Sequence, residues 1–124
     1  MKNKKNLSLY CLDCSGTLLD AAQAINKNKS RSALVIEENK VIGLISEGDL
    51  VRALLNGMDI HTPVTQFVHY GFAYLHQRNL VKALEIFKEL GFSLIPVLSK
   101  KMELKDVITA IDVLKHMKID NPEI

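Results

Sequence analysis

The sequence lacks the features that would assign its function directly. No apolar run approaches the ~18 residues that a membrane-spanning helix needs, and Leu7 to Leu12 is short for the hydrophobic part of a secretion signal. The 16 Lys and Arg are interleaved with 14 Asp and Glu, apart from a basic start at Lys2, Lys4 and Lys5, so no basic stripe typical of nucleic-acid binding stands out. We therefore expect a cytoplasmic protein with no nucleic-acid partner and no direct membrane role, whose basic start leads into a first strand.

Cysteine and histidine are also scarce. The two cysteines, Cys11 and Cys14, have the C-x-x-C spacing of a redox pair or of half a zinc site. Zinc would need further ligands, and the four histidines are scattered along the chain. Reduced cysteines beside a first strand are the simpler interpretation, and we expect no metal site.

No group of residues indicates catalysis. The segment around Asp13 is similar to the nucleophile motif of haloacid-dehalogenase-like phosphatases, but Ser15 stands where that chemistry needs a second aspartate as the acid. The chain is also short for that fold. We therefore expect no enzyme activity and no catalytic residues.

What the sequence does contain is one pattern written twice. Four apolar positions recur 62 residues later: Leu18, Ala21, Ala22 and Ile25 return as Leu80, Ala83, Leu84 and Phe87. An internal repeat indicates one supersecondary unit built twice, so a site between the copies should also occur twice. We predict a single module over 1–124, with repeat 1 at about 8–57, a connector at about 58–73 and repeat 2 at about 74–118. Each repeat alone would be marginally stable, so both should share one core.

Each repeat is predicted to contain a helix, a strand hairpin and a second helix. In repeat 1 these are a helix from Leu18 to about Lys29, strands at 33–36 and 41–45, and a helix from Ser46 to about Asn56. In repeat 2 they are helices at 80–90 and 110–117 around strands at 94–98 and 104–108. We also predict a short strand around 72–75 in the connector.

An S/T-x-x-D pair follows each hairpin: Ser46 with Asp49, and Thr109 with Asp112. A helix N-terminus offers unpaired N–H groups and a partial positive charge, which suit a phosphate, and the hydroxyl adds a hydrogen bond. A carboxylate one turn into the helix can accept from two ribose hydroxyls. The same pair is also a capping box, which needs no ligand, so the spacing alone leaves both roles open.

The stretch from Gly43 to Leu54 resembles the signature end of a CBS (cystathionine-β-synthase-type) domain, and 107–115 is similar. Ile95-Pro96-Val97-Leu98 matches the apolar-Pro-Val strand of that family. The resemblance covers about residues 12–118. It implies an α/β (α+β) fold of tandem β-α-β-β-α CBS repeats with pseudo-twofold symmetry, the Bateman module, which binds adenosine nucleotides and related adenosyl ligands in clefts between the repeats.

The resemblance also implies roles for individual residues. Asp49 and Asp112 would hold the ribose diols of two clefts, while Ser46 and Thr109 would face the phosphates or the ribose. In the family, the other repeat completes each cleft, and Arg31 would then be a phosphate ligand. The residues expected beside Asp112 are Ser15, Gly16, Thr17, Arg31 and Ser32, and those expected beside Asp49 are Arg78, Asn79 and Ser93.

Repeat 2 departs from the pattern at one position, because Asp106 stands where repeat 1 has Gly43. The extra carboxylate disfavours a phosphate nearby unless Lys105 or a metal ion offsets its charge. Loss of the glycine also removes room for a ring to lie on the backbone. We therefore expect the two clefts to bind unequally.

The resulting hypothesis is a non-catalytic regulatory module that binds AMP, ADP or ATP between its repeats. The resemblance implies a homodimer formed through the helices, for which Val51 and Leu55 are suitable contacts. The segment 48–57, followed by 62–64, further resembles CBS pairs fused ahead of sugar-nucleotide-forming nucleotidyltransferases, so the regulated partner would be such an enzyme, tethered or associated. The alternative is a degenerate CBS pair that acts only as a dimerisation scaffold.

Overall fold

The computed structural model describes residues 6–117, which fold into helices packed over two small β-sheets. The strands are β1 (Cys11–Asp13), β2 (Ser32–Glu37), β3 (Lys40–Ser46), β4 (Leu94–Leu98) and β5 (Leu104–Thr109). The helices are α1 (Leu18–Asn28), α2 (Glu47–Leu55), α3 (Leu80–Leu90) and α4 (Ala110–His116), with 3-10 turns at Leu7–Tyr10 and Val64–Gln66. The expected fold class is confirmed. The basic start at Lys2, Lys4 and Lys5 and the last residue of the predicted repeat 2 lie outside the described residues.

The sheets are built from two similar hairpins. In the first sheet β1 runs parallel to β2, and β2 pairs antiparallel with β3; in the second, β4 pairs antiparallel with β5. Both hairpins shift register at equivalent points, between Val35 and Ile36 and between Val97 and Leu98. The shared irregularity indicates that repeat 2 reproduces the backbone of repeat 1 in detail.

The first strands of the two repeats differ from expectation. The chain enters through the 3-10 turn at Leu7–Tyr10, so β1 begins only at Cys11. The strand predicted at 72–75 is reduced to one parallel bridge between Leu75 and Val97. Leu75 donates to Pro96 O at 3.1 Å and accepts from Leu98 N at 2.8 Å. The next donor toward the start of β4 would be Pro96, which has no N–H, so the ladder cannot extend.

One core joins the two repeats. Leu34 and Leu44 of the first sheet pack with Leu94 and Val107 of the second in a single buried cluster. Separate clusters lie under α1 and α2 and under α3 and α4. Neither sheet could bury both of its faces without the other repeat, which is why the expected sharing of one core is found.

Within each repeat, the start of the second helix lies next to the start of the first strand of the hairpin. Glu47 N, the first helical residue of α2, donates to Arg31 O at 2.8 Å; Ala110 N, the first of α4, donates to Ser93 O at 3.3 Å. Across the pseudo-axis, Ser93 Oγ donates to Ser30 O. The two helix N-termini therefore lie near the contact between the repeats.

Candidate functional site

Both predicted S/T-x-x-D pairs form capping boxes. Ser46 Oγ accepts from Asp49 N at 3.2 Å, and Asp49 Oδ2 accepts from Ser46 N at 2.8 Å. Thr109 Oγ1 accepts from Asp112 N at 3.2 Å, and Asp112 Oδ2 accepts from Thr109 N at 2.8 Å. The helix-capping role is thus common to both repeats, and the surroundings of each carboxylate decide what else it can do.

Asp49 is enclosed by its own repeat and by the connector. Its Oδ1 accepts from Arg52 Nη2 at 2.7 Å and lies 2.9 Å from His69 Nε2, and its side chain is 8% exposed. Burial raises the pKa of Asp49, but hydrogen bonds from the Ser46 backbone, His69, the Ser46 hydroxyl and Arg52 outweigh burial and hold the pKa below its usual value. Asp49 is therefore an ionised group whose oxygens are already bonded within the protein.

The connector closes over repeat 1 at Gly43. His69 exchanges two backbone hydrogen bonds with Leu44, at 2.9 and 3.1 Å. A Cβ on Gly43 would lie 1.9 Å from Val68 Cγ1 and 3.0 Å from His69 O. The glycine expected to give room to a ligand ring instead gives room to the connector.

The Ser46 cleft lies at the start of α2 and has a volume of about 300 Å³. Asp49 is not among the residues that line it. Its lining comes from both repeats: Arg31, Ser32, Ser46, Glu47, Gly48, Arg52, His69, Leu90, Gly91, Phe92 and Ser93.

The Thr109 cleft lies at the start of α4 and is larger, about 480 Å³. Asp112 lines it directly, and three cationic side chains, Lys29, Arg31 and Lys115, share the lining with one aromatic ring, Tyr10. The other lining residues are Asn28, Ser30, Ser93, Thr109, Ala110 and Ile111. The cleft therefore combines hydrogen-bonding, cationic and apolar surface from both repeats.

Arg78 balances the extra carboxylate of repeat 2. Its Nη1 donates to Asp106 Oδ2 at 2.9 Å and to Val107 O at 3.1 Å, and its Nη2 lies 3.8 Å from Asp112 Oδ2. Lys105, which the sequence suggested as a cation that offsets Asp106, donates to His76 O instead. Asp106 does not line the Thr109 cleft, so its charge is both offset by Arg78 and kept from the cleft wall.

The structure brings some of the predicted site residues together and separates others. Arg31 reaches Thr109 and Asp112 in one cleft, as the resemblance implied, but it lines the Ser46 cleft as well. Ser32 lines only the Ser46 cleft of these two. Thr17 and Asn79 line neither of these clefts; each caps the first helix of its repeat, where Thr17 accepts from Asp20 N and Asn79 accepts from Lys82 N.

Three charged or aromatic residues of the Thr109 cleft were not singled out from the sequence: Lys115, Lys29 and Tyr10. Lys115 could have been predicted from the sequence, since it follows Asp112 by three positions and so lies on the same face of α4. Lys29 and Tyr10 could not, because their positions at the cleft depend on how the two repeats pack. His69 beside Asp49 was likewise noted only as one of several rings in the connector.

Both cysteines are free thiols. Cys11 Sγ donates to Leu7 O at 3.3 Å, and burial raises the pKa of its thiol to about 11. Cys14 instead points its thiol to Glu37 Oε1 at 3.7 Å. Among the described residues, no three His, Cys, Asp or Glu side chains are arranged to hold a metal ion. Over the same residues, no helix has the length and apolar character to cross a membrane.

Comparison with known proteins bears on the same residues. Residues 6–56 match the family model described as the CBS domain. This part of the chain is similar to a CBS domain. The matched residues contain β1 to β3, α1 and α2, with Ser46 and Asp49 near their end.

The whole described chain has the fold of a CBS pair. A CBS domain protein from Pyrobaculum aerophilum complexed with AMP superposes with a TM-score of 0.75 at 19% identity, covering 94% of this chain and 93% of that one. A CBS domain pair/ACT domain protein from Thermotoga maritima gives 0.71 at 20% identity, covering 86% of both chains. An uncharacterized 17.7 kDa protein from Acidianus ambivalens is 26% identical over 111 residues, which are 88% of this chain and 67% of that protein.

Proposed function

We propose that this CBS pair binds an adenosine nucleotide in the Thr109 cleft and so regulates a tethered or associated protein. The observation that carries the proposal is that Arg31 of repeat 1 lines the same cleft as Thr109 and Asp112 of repeat 2. A volume of about 480 Å³ lies within the usual range of small-molecule sites. A ligand held there would touch both repeats.

The chemistry of the lining suits each part of a nucleotide. Asp112 can accept from ribose hydroxyls, and the planar guanidinium of Arg31 can donate two parallel hydrogen bonds to a phosphate. Tyr10 and Ile111 supply aromatic and apolar surface for a base. The AMP complex of the Pyrobaculum protein supports the proposal, because a chain of the same fold binds that ligand.

Regulation would follow from contact with both repeats. A nucleotide shifts an equilibrium between two arrangements of the repeats only by the difference in its affinity for them. We propose that this change in arrangement reaches the regulated protein through a homodimer formed by the helices, since Val51 is 50% and Leu55 81% exposed on α2. We further propose that the protein it regulates is a nucleotidyltransferase. The CBS pair itself is proposed to be cytoplasmic and non-catalytic.

The proposal is tested by thermal unfolding with AMP, ADP and ATP, on the wild type, Asp112→Asn and a charge-matched control, Asp13→Asn. A ligand at ~100 times its dissociation constant adds about 2.7 kcal/mol to the free energy of unfolding, which raises the midpoint by several degrees. We expect this shift in the wild type and in Asp13→Asn, and its loss in Asp112→Asn. An equal shift in all three proteins, or none in any, would contradict the proposal.

The second candidate is a dimerisation scaffold that binds no nucleotide. It is favoured by the enclosure of Asp49 and by the exposed apolar side chains of α2. Sedimentation of the wild type and of Leu55→Lys separates the two functions. A dimer that Leu55→Lys dissociates, with no response to any nucleotide, would support the scaffold, whereas a dimer whose midpoint rises with nucleotide would support the sensor.

A further inference from the structure

We infer that the Thr109 cleft selects nucleoside di- and triphosphates over the monophosphate. This inference rests on the proposed function and adds the class of nucleotide. It is carried by the charges of the cleft lining, which hold three cations, Lys29, Arg31 and Lys115, against one carboxylate, Asp112.

The three cations come from two parts of the chain. Lys29 is the C-cap of α1 and Arg31 directly precedes β2, so both lie on the turn between these elements, whereas Lys115 lies on α4. Lys115 is nearly one turn beyond Asp112, so the two share a helix face. A chain of phosphates starting near Asp112 would therefore find cations on both sides of the contact between the repeats.

The charges of these side chains are not used elsewhere in the described part of the chain. Within residues 6–117, Lys29, Arg31 and Lys115 form no ion pair with another described residue, and all three are exposed. Two other arginines are committed: Arg52 pairs with Asp49, and Arg78 pairs with Asp106 and lies 3.8 Å from Asp112. The cations of the cleft are thus available to a ligand.

The segment that carries Lys29 and Arg31 is held in an uncommon backbone conformation. Both residues have positive φ, 58° and 66°, a backbone conformation that residues other than glycine rarely adopt. Asn28 fixes the turn, since its Oδ1 accepts from Ser30 N at 2.7 Å and its Nδ2 donates to Ser32 O at 3.0 Å. Two cations on a fixed turn lose less conformational freedom on binding than two on a loose loop.

The additional phosphates of ADP and ATP would meet this excess of positive charge. AMP carries about two negative charges at neutral pH, and we take each further phosphate to add roughly one. A partly exposed ion pair changes an equilibrium by about two- to fivefold, so two further pairs should favour ATP over AMP by about tenfold. The preference should weaken as salt is raised, because exposed charges are screened.

The test is isothermal titration of adenosine, AMP, ADP and ATP in buffer with EDTA, on the wild type, Arg31→Gln and Lys115→Gln. Lys88→Gln is the matched control, since Lys88 is exposed on α3 and does not line the cleft. We expect affinity to rise from AMP to ATP by about tenfold. Both cleft variants should weaken ATP more than AMP and bring their ratio toward one, while Lys88→Gln leaves the ratio unchanged.

The outcomes separate the two proposals. Equal affinities for AMP and ATP, with binding still lost in Asp112→Asn, would overturn the selection of polyphosphates and leave the proposed function standing. A preference for ATP that persists in both cleft variants would overturn the inference that these cations cause it. Absence of binding by every nucleotide would overturn the proposed function, and this inference with it.

Discussion

Asp49 and Asp112 occupy equivalent places in the two repeats, yet their surroundings differ. Each accepts a backbone hydrogen bond that caps the second helix of its repeat. Asp49 is 8% exposed and bonded to Arg52 and His69, whereas Asp112 is 18% exposed and lines the larger cleft. The repeats therefore share the helix cap, but the wall around the cap is specific to each repeat.

The connector is the source of this difference. It passes over repeat 1, where Val68 packs on Gly43 and His69 pairs with Leu44. A chain has one connector between two repeats, so only one of them can be covered in this way. On the other side, the 3-10 turn at Leu7–Tyr10 packs on the shared core, and Tyr10 faces the Thr109 cleft.

The largest effect should come from neutralising the enclosed aspartate. Asp49→Asn should lower the free energy of unfolding at pH 7 by about 2–3 kcal/mol, because charge-assisted hydrogen bonds from Arg52 and His69 are lost. Asp112→Asn should cost under about 1 kcal/mol, because it removes only a longer, 3.8 Å ion pair with Arg78 and keeps an oxygen that can accept from Thr109 N. Urea unfolding of both variants measures the difference, and equal losses would remove the distinction between the two sites.

A methyl group at Gly43 should have the next largest effect. Gly43→Ala places a Cβ against Val68 and should cost about 2 kcal/mol through overpacking. Val68→Ala in the same chain should recover part of this loss, since the two changes act at one contact. Asp106→Ala, at the equivalent position of repeat 2, is the matched control and should cost under about 1 kcal/mol, because it removes a partly exposed ion pair. A smaller loss in Gly43→Ala than in Asp106→Ala would be inconsistent with a tightly packed connector.

The same comparison should appear as a pH dependence. A carboxyl whose folded pKa is lowered stabilises the protein above its unfolded pKa of about 3.9 and loses that contribution as pH falls through the folded value. The difference in free energy of unfolding between wild type and Asp49→Asn should therefore be largest near pH 7 and shrink below about pH 4. Unfolding by urea at several pH values checks this, and a difference that grows on acidification would show that the pKa of Asp49 is raised instead.

The smallest effect should come from His69. Its side chain is 52% exposed, so His69→Gln should lower the free energy of unfolding by only about 0.5 kcal/mol. His61→Gln is the control and should have no measurable effect, because the exposed imidazole of His61 contacts no carboxylate among the described residues. Unfolding curves for the pair decide whether His69 supports Asp49, and equal curves would indicate that it does not.

Local sequence patterns predicted the helices and strands well, but they predicted the residues that line the clefts only in part. The capping boxes, the hairpins and the helix end at Gly91 follow from short-range rules, and each is present. The single bridge at Leu75 could have been foreseen from Pro96, which interrupts donation. The contacts of Val68 with Gly43 and of His69 with Asp49 could not, because they join a connector without periodicity to distant positions. Lys29 and Tyr10 reach the Thr109 cleft only through the packing of one repeat on the other.

The central claim is that the two clefts are not equivalent, and that the Thr109 cleft is the one that binds. Arg31 lines both clefts, so a ligand that engages it in one withdraws it from the other. The most direct measurement is the number of ATP molecules bound per chain, by equilibrium dialysis, in the wild type, Asp112→Asn and Asp49→Asn. We predict one ATP per chain, lost in Asp112→Asn and retained in Asp49→Asn. Two per chain, or loss only in Asp49→Asn, would contradict the account.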